Sequence, residues 1–362
     1  MFPSAVLTPS GIVVAYSTVP DGWPGGTVGV RRTLDQAVSW EDARIVATPA
    51  AGEDAALGAL GLSRLRDGRL LLPYNAVTWQ AGLGVEHCAL DLRLLESSDD
   101  GRSWSEPVAV EIDFDRPAVY GEMIELASGE LLWPIWGEHR KRERWRSALL
   151  SSSDGGRHWT VKGTVAFDPT ARMSGHYVEA GDTGASTTGV ADFSRNDDPD
   201  FRPHNATDGF NETSVVQLAD GRLLAVLRQQ GVGGDGELKL FTARSDNAGR
   251  TWSPYTHIGF SGMSPALLRM GEHLLLGTRR FVSHDGVEPG VEVRVGTADA
   301  ESWGTPVALE DPFGTRLTAE YQCGYPSFVA EPGGTCLVFF YSHRPGVGRF
   351  VAWNRLEIVP GV

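Results

Sequence analysis

Cysteine is scarce in this chain. There are three in 362 residues, Cys88, Cys323 and Cys336, and none has a CxxC spacing. That excludes a disulfide framework and fits a reducing compartment. Long apolar runs are missing too, and the opening MFPSAVLTPSG has neither the basic start nor the apolar core of a secretory leader. The expectation is a cytoplasmic protein with no membrane partner, or a secreted one if the N-terminus is trimmed. Positive charge is in deficit, 32 Lys and Arg against 46 Asp and Glu, for a formal charge of −14. A general nucleic-acid binder is excluded by that balance. The basic run HRKRERWR, His139 to Arg146, is the local exception. It reads as a solvated hairpin loop or as a loop that attracts an acidic substrate.

Metal and cofactor signatures are also lacking. The nine histidines include no HExxH and no paired spacing. The glycine-rich GVGGDGE, Gly231 to Glu237, lacks the strand–helix context of a nucleotide-binding loop. NDDPD, Asn196 to Asp200, lacks EF-hand spacing and reads as a solvated loop before it reads as a Ca²⁺ site. No cofactor and no metal are expected.

What the chain has is glycine (44), proline (21), tryptophan (11) and a 41% hydrophobic content. Many short strands with tight turns follow from that composition. A hairpin pattern recurs six times, with turn glycines at Gly11, Gly68, Gly129, Gly221, Gly271 and Gly334, each followed by a mostly apolar strand. A second element, S-x-D-x-G-x-x-W, follows most copies. It stands at Ser97 to Trp104 and Ser152 to Trp159, at Ser245 to Trp252 with Asn247 for Asp, and at Thr33 to Trp40 with Ala37 for Gly. A shorter copy ends at Trp303. From turn glycine to tryptophan the first five units span 29, 36, 30, 31 and 32 residues, so the two motifs keep phase.

The physics of the second element is local. Ser and Asp side chains bond backbone amides within the turn, Gly accepts a positive φ, and Trp plugs the apolar side. A unit of about four strands, apolar on both faces, must pack against its neighbours. Radial repetition of such sheets gives a β-propeller. The expectation is an all-β, six-bladed propeller of four-stranded antiparallel blades, one domain over 1–362. An irregular polar insertion at about 167–211 interrupts the repeat, as a lid or rim of the site.

One hairpin carries charge at its outer ends. In NETSVVQLADGRLLAVLR, residues 211 to 228, Glu212 and Arg228 face each other across the Asp220-Gly221 turn, about 5 Å apart in such a pair. They form either an exposed cross-strand ion pair or part of a site at the mouth of a central channel.

The S-x-D-x-G-x-x-W turns resemble the Asp-boxes of the sialidase (neuraminidase) superfamily, whose propellers are built from BNR repeats. The segment NETSVVQLADGRLLAVLR resembles that family's catalytic segment. The resemblance implies that Glu212 is the base to a tyrosine nucleophile and that Arg228 is one of three arginines that clamp the carboxylate of sialic acid. It places a further clamp arginine at Arg294 in GVEVRVGT and the nucleophile at Tyr325 in CGYPSFV. The implied substrate is a carbohydrate bearing an acidic sugar. Arginine forks bind a carboxylate in a way lysine does not. A neutral tyrosine avoids the repulsion that a carboxylate nucleophile would meet there.

Two departures stand out. Met1 occupies the place of the family's first clamp arginine, and Arg280 in GTRRF is the candidate substitute. The acid falls to Asp21, the one carboxylate in TVPDGWPGGTVGVRRT. Two alternatives remain open: a propeller glycosidase for a neutral or uronic sugar, in which Glu212 works with Glu122 or Glu86, and a carbohydrate-binding propeller without turnover.

Overall fold

The computed structural model describes residues 2–19, 25–48, 55–78, 89–140, 144–168, 176–178, 188–190, 209–230, 239–280, 290–309, 323–344 and 348–358. Every element among them is a β-strand. The first sheet runs in chain order through β1 (Ser4–Thr8), β2 (Gly11–Ser17), β3 (Val28–Thr33) and β4 (Arg44–Ala47). The second comprises β5 (Ala55–Ala59), β6 (Ser63–Arg64), β7 (Leu70–Thr78), β8 (Ala89–Ser97) and β9 (Val108–Ala109).

A nine-stranded sheet follows. Its first part holds β10 (Arg116–Val119), β11 (Ile124–Glu125), β12 (Leu131–Glu138), β13 (Trp145–Ser152) and β14 (Thr160–Ala166). A separate two-stranded sheet of β15 (His176–Val178) and β16 (Thr188–Val190) comes next in the chain. The nine-stranded sheet then continues with β17 (Gly209–Gln217), β18 (Leu223–Gln230), β19 (Lys239–Ser245) and β20 (Thr256–Ser261). The last two sheets are β21 (Met263–Met270), β22 (His273–Arg280), β23 (Gly290–Thr297), β24 (Val307–Ala308), and β25 (Gly324–Ala330), β26 (Thr335–Arg344), β27 (Gly348–Glu357).

The arrangement is all-β and propeller-like, but the expected set of six separate four-stranded blades is corrected. Four sheets, of four, five, four and three strands, stand apart as single blades. The middle of the chain forms one nine-stranded sheet because Trp145 of β13 bridges in parallel to Gly209 of β17. Every other strand pairing among the described residues is antiparallel.

The core lies between the sheets. Val13 and Val30 of the first sheet pack with Leu70 and Leu72 of the second. Leu71 and Leu94 pack with Trp133 and Ile135, and Leu132 and Leu149 pack with Leu223 and Ala225. Leu224 and Val226 meet Leu274 and Leu276, and Leu275 and Val293 meet Val338 and Phe340. Ala5, Ile12 and Val14 close the circle on Leu337 and Phe339. The alternation of each strand's side chains divides them between two such interfaces.

Hydroxyls tie the inner strands around the axis. The amide of Leu62 donates to Ser4 Oγ at 2.8 Å, Met123 to Ser63 Oγ at 2.7 Å and Leu267 to Ser214 Oγ at 3.0 Å. Ala5 donates to Ser327 Oγ at 3.0 Å, joining the two ends of the chain.

The turns have the chemistry their sequence requires. All six hairpin glycines have positive φ, from 59° at Gly271 to 141° at Gly11. In the turn at Ser97 the serine hydroxyl bonds Asp99 Oδ1 at 2.9 Å and accepts from the Gly101 amide at 2.9 Å, while Asp99 accepts from the Ser103 amide at 2.8 Å. The turns at Ser152, Ser245 and Thr33 repeat this pattern. Of the expected insertion, β15 and β16 are described and Gly209 to Asn211 already belong to β17; Asn196 to Asp200 lie outside the described residues.

Candidate active site

Three positive-φ residues stand at one level in three successive inner strands. They are Glu212 (φ 43°) in β17, Ser264 (φ 50°) in β21 and Tyr325 (φ 53°) in β25. At each the ladder skips: Asn211 pairs with Arg228, and the next paired residue is Ser214. The same jump separates Met263 from Ala266 and Gly324 from Ser327. A bulge of this kind bends the strand and re-aims its side chain. A non-glycine residue in this region costs on the order of 1–3 kcal/mol and is held only by its surroundings.

The surroundings here are dense. Tyr325 donates its hydroxyl proton to Glu212 Oε1 at 2.8 Å. Glu212 Oε2 accepts from the Ser264 amide at 2.9 Å and pairs with Arg228 Nη1 at 3.1 Å. Arg228 Nε donates to Asn211 Oδ1 at 2.9 Å. The side chains of Arg228 and Glu212 are only 8% and 5% exposed, so the charges expected in solvent are buried. The hairpin ends on two opposite charges because each neutralises the other out of water.

Aromatic rings enclose the couple. Phe2 stacks on Tyr325 with centroids 3.9 Å apart, and Tyr341 and Tyr120 lie 6.1 and 6.0 Å from the same ring. Tyr325 is half-buried, which leaves part of its ring open to solvent. Burial and the charge of Glu212 hold the Tyr120 phenol well above its ordinary range, against the opposing pull of Arg228 and Ser264. Tyr120 is therefore neutral at working pH.

Arg279 stands beside the couple: its Nη1 donates to Tyr341 Oη at 3.2 Å, and its side chain lies against Gly324, the residue before Tyr325. Arg279 pairs with Met263 as Arg228 pairs with Asn211, so the two arginines occupy equivalent places in neighbouring sheets. Of Arg280, the last residue of β22, the backbone alone is described. Arg294 stands elsewhere. It pairs with Glu292 at 3.3 Å, lies over the Phe260 ring at 4.2 Å and donates to the Gly304 carbonyl at 3.1 Å, on the outer strands. Its strand is the third of its sheet and not one of the inner pair.

Asp21, Met1 and Glu86 lie outside the described residues. Glu122 is open to solvent yet enclosed by protein, and that enclosure pushes its carboxyl up to about 8. Among the described residues, no group of three or more His, Cys, Asp or Glu is placed to hold a metal ion. None of their helices, there being none, is available to cross a membrane. Sequence reasoning missed Arg279, Ser264, Tyr120, Phe2 and Tyr341. The repeat held a signal for one of them, since FPSAV at 2–6 aligns with YPSFV at 325–329.

A family model described as "BNR repeat-like domain" matches residues 25–338. The chain belongs to that family. A sialidase of Bacteroides fragilis (strain YCH46) is 26% identical over 188 residues, 44% of this chain and 34% of that relative. The chain thus matches only about a third of the curated relative's length. A solved protein of unknown function from Dyadobacter fermentans DSM 18053 superposes with a TM-score of 0.73 at 20% identity, over 99% of this chain and 94% of that one. A Trypanosoma rangeli sialidase in complex with sialic acid superposes at 0.65 and 13% identity, over 98% and 53%. This BNR family protein has the sialidase-like propeller fold.

Proposed function

We propose that this BNR family protein is a retaining exo-glycoside hydrolase of sialidase type, acting on a sialic acid or a related acidic sugar. The hydrogen bond from Tyr325 to Glu212, 2.8 Å long, carries the reading. A nucleophile within reach of its base is the arrangement covalent catalysis needs. The nine-stranded sheet is read as two repeat units joined through one bridge, which gives six blades and matches the six turn glycines.

In this mechanism the Tyr325 oxygen attacks the anomeric carbon while its proton passes to Glu212. The bond to the leaving-group oxygen breaks, and Asp21 supplies the proton that oxygen takes. Water then displaces Tyr325 from the opposite face, giving its proton to Asp21, while Glu212 returns the first proton to the phenolate. Two inversions retain the configuration. Arg279 and Arg228 face the sugar carboxylate, and a neutral nucleophile meets no repulsion from it.

A propeller glycosidase for a neutral or uronic sugar is the second reading. The observation in its favour is Arg294, which stands away from the couple and leaves fewer cations for a carboxylate. NMR of the protein with sialyllactose separates the two. Release of sialic acid first as its α-anomer, abolished in Tyr325→Phe, is the expected result. No release from the native protein would overturn the sialidase reading.

A further inference from the structure

Tyr120 follows the end of β10, on the inner side of its sheet, and is 8% exposed. Its ring approaches that of Tyr325 on β25, its hydroxyl end faces Ser264 on β21, and the charges of Glu212 on β17 and Arg228 on β18 act on it. One side chain thus approaches two sheets other than its own and senses the charges on a distant part of its own sheet. A residue rooted on one wall of a closed ring that reaches the walls opposite lies across the axis.

Beneath it the environment changes. Glu122, two residues further along the same inner segment, is exposed to solvent. Gly121, between them, packs on the Thr213 carbonyl, where a Cβ would come within 2.7 Å. Solvent thus reaches the chain on the Glu122 side of Tyr120. Above it, Glu212 and Ser264 are 4% and 0% exposed. The Ser264 hydroxyl is buried and faces the Tyr120 hydroxyl.

We propose that Tyr120 is a positioning residue that floors the site, standing between the exposed Glu122 side and the Tyr325–Glu212 couple so that water from that side cannot solvate the couple. Water at Glu212 would compete for the carboxylate oxygen that Tyr325 uses, and hydrogen bonds are stronger where the medium is dry. It would also free the Tyr325 side chain from a geometry that a strained backbone alone does not fix. The floor acts through bulk and not through its hydroxyl.

The inference rests on Tyr325 and Glu212 being the reacting couple, and the test separates the two ideas. Protein carrying ¹³Cζ-tyrosine is titrated by NMR as the native chain, Tyr120→Phe, Tyr120→Leu and Tyr120→Ala, with Tyr325→Phe to assign the Tyr325 signal. Water admitted from below relieves the burial of the phenol, so Tyr325 in Tyr120→Ala is expected to titrate about one pH unit lower. In Tyr120→Phe it is expected to stay unchanged. Where sialoside hydrolysis is measurable, Tyr120→Ala loses about 10- to 100-fold in kcat, with KM moving less, and Tyr120→Phe loses far less than Tyr120→Ala. Should the alanine variant fail to fold, Tyr120→Leu, apolar but shorter, gives the same directions. An unchanged Tyr325 titration in the leucine and alanine variants overturns the floor. So does a phenylalanine variant as impaired as the alanine one, because the hydroxyl would then be the acting group. A native chain without hydrolysis but with the titration shift refutes the sialidase reading and leaves the floor standing.

Discussion

Replacing Arg228 by Met removes the cation from a carboxylate that has almost no access to water. Glu212 is 4% exposed and keeps two neutral donors, the Ser264 amide at 2.9 Å and the Tyr325 hydroxyl at 2.8 Å. Those two bonds do not neutralise a charge. Breaking a buried pair from one side costs about 3–5 kcal/mol, mostly the stranding of the partner. The Asn211 side-chain oxygen also loses its bond to Arg228 Nε. Replacing both members, as Arg228→Met with Glu212→Gln, removes the stranded charge, and most of the loss should disappear. Urea unfolding of the native protein, the two single variants and the double variant reads the cycle. The expected outcome is a single Arg228→Met variant about 3–5 kcal/mol less stable and a double variant within about 1–2 kcal/mol of native. A double variant as unstable as the sum of the singles would refute this account, because the cost would then lie in lost packing and not in electrostatics.

Two further outcomes test the scaffold. Gly249→Ala would put a Cβ 2.3 Å from Leu149 Cδ2 at a φ of 85°, combining strain with overpacking, at about 1–3 kcal/mol. Gly129→Ala meets nothing within 4 Å at a φ of 83° and should lose only about 1 kcal/mol, so equal urea midpoints for the two would sink the packing argument. At Asp99 burial pushes the carboxyl up, but bonds from the Ser103 side chain and amide, the Ser97 hydroxyl and the Arg102 amide outweigh it and hold it at about 2. A depressed folded value stabilises above the unfolded one, ordinarily 3.8, and that contribution fades as pH falls toward 2. Acid unfolding curves should therefore show a shallower loss between those pH values in Asp99→Asn than in the native protein, and identical slopes would argue against it.

The turn chemistry was legible because it is local. Each S-x-D-x-G-x-x-W turn satisfies its own amides within eight residues, so the pattern and the hydrogen bonds coincide at Ser97, Ser152 and Ser245. Where Ala37 replaces the glycine, the backbone still takes a φ of 70°, held by the Thr33 hydroxyl on its amide at 3.0 Å. Glu212, Arg228 and Tyr325 were named from sequence, and the fold brings those three together. The resemblance that named Arg294 did not say which strand of its sheet it occupies, and the structure puts it on the third, away from the inner pair.

By itself the sequence determined an all-β chain of repeated hairpins, with glycine where φ must be positive and tryptophan where sheets meet. These follow from steric limits and hydrogen bonding over a few residues, which no distant contact needs to supply. Tertiary structure decided that Arg279 stands beside the couple, that the couple's charges are buried, and that Tyr120 packs against Tyr325. A bulge at Glu212, Ser264 and Tyr325 shifts the strand register, and a one-residue shift sends every later side chain to the other face. Closure of the ring then brings side chains more than a hundred residues apart within 3 Å, as Tyr325 and Glu212 show at 2.8 Å.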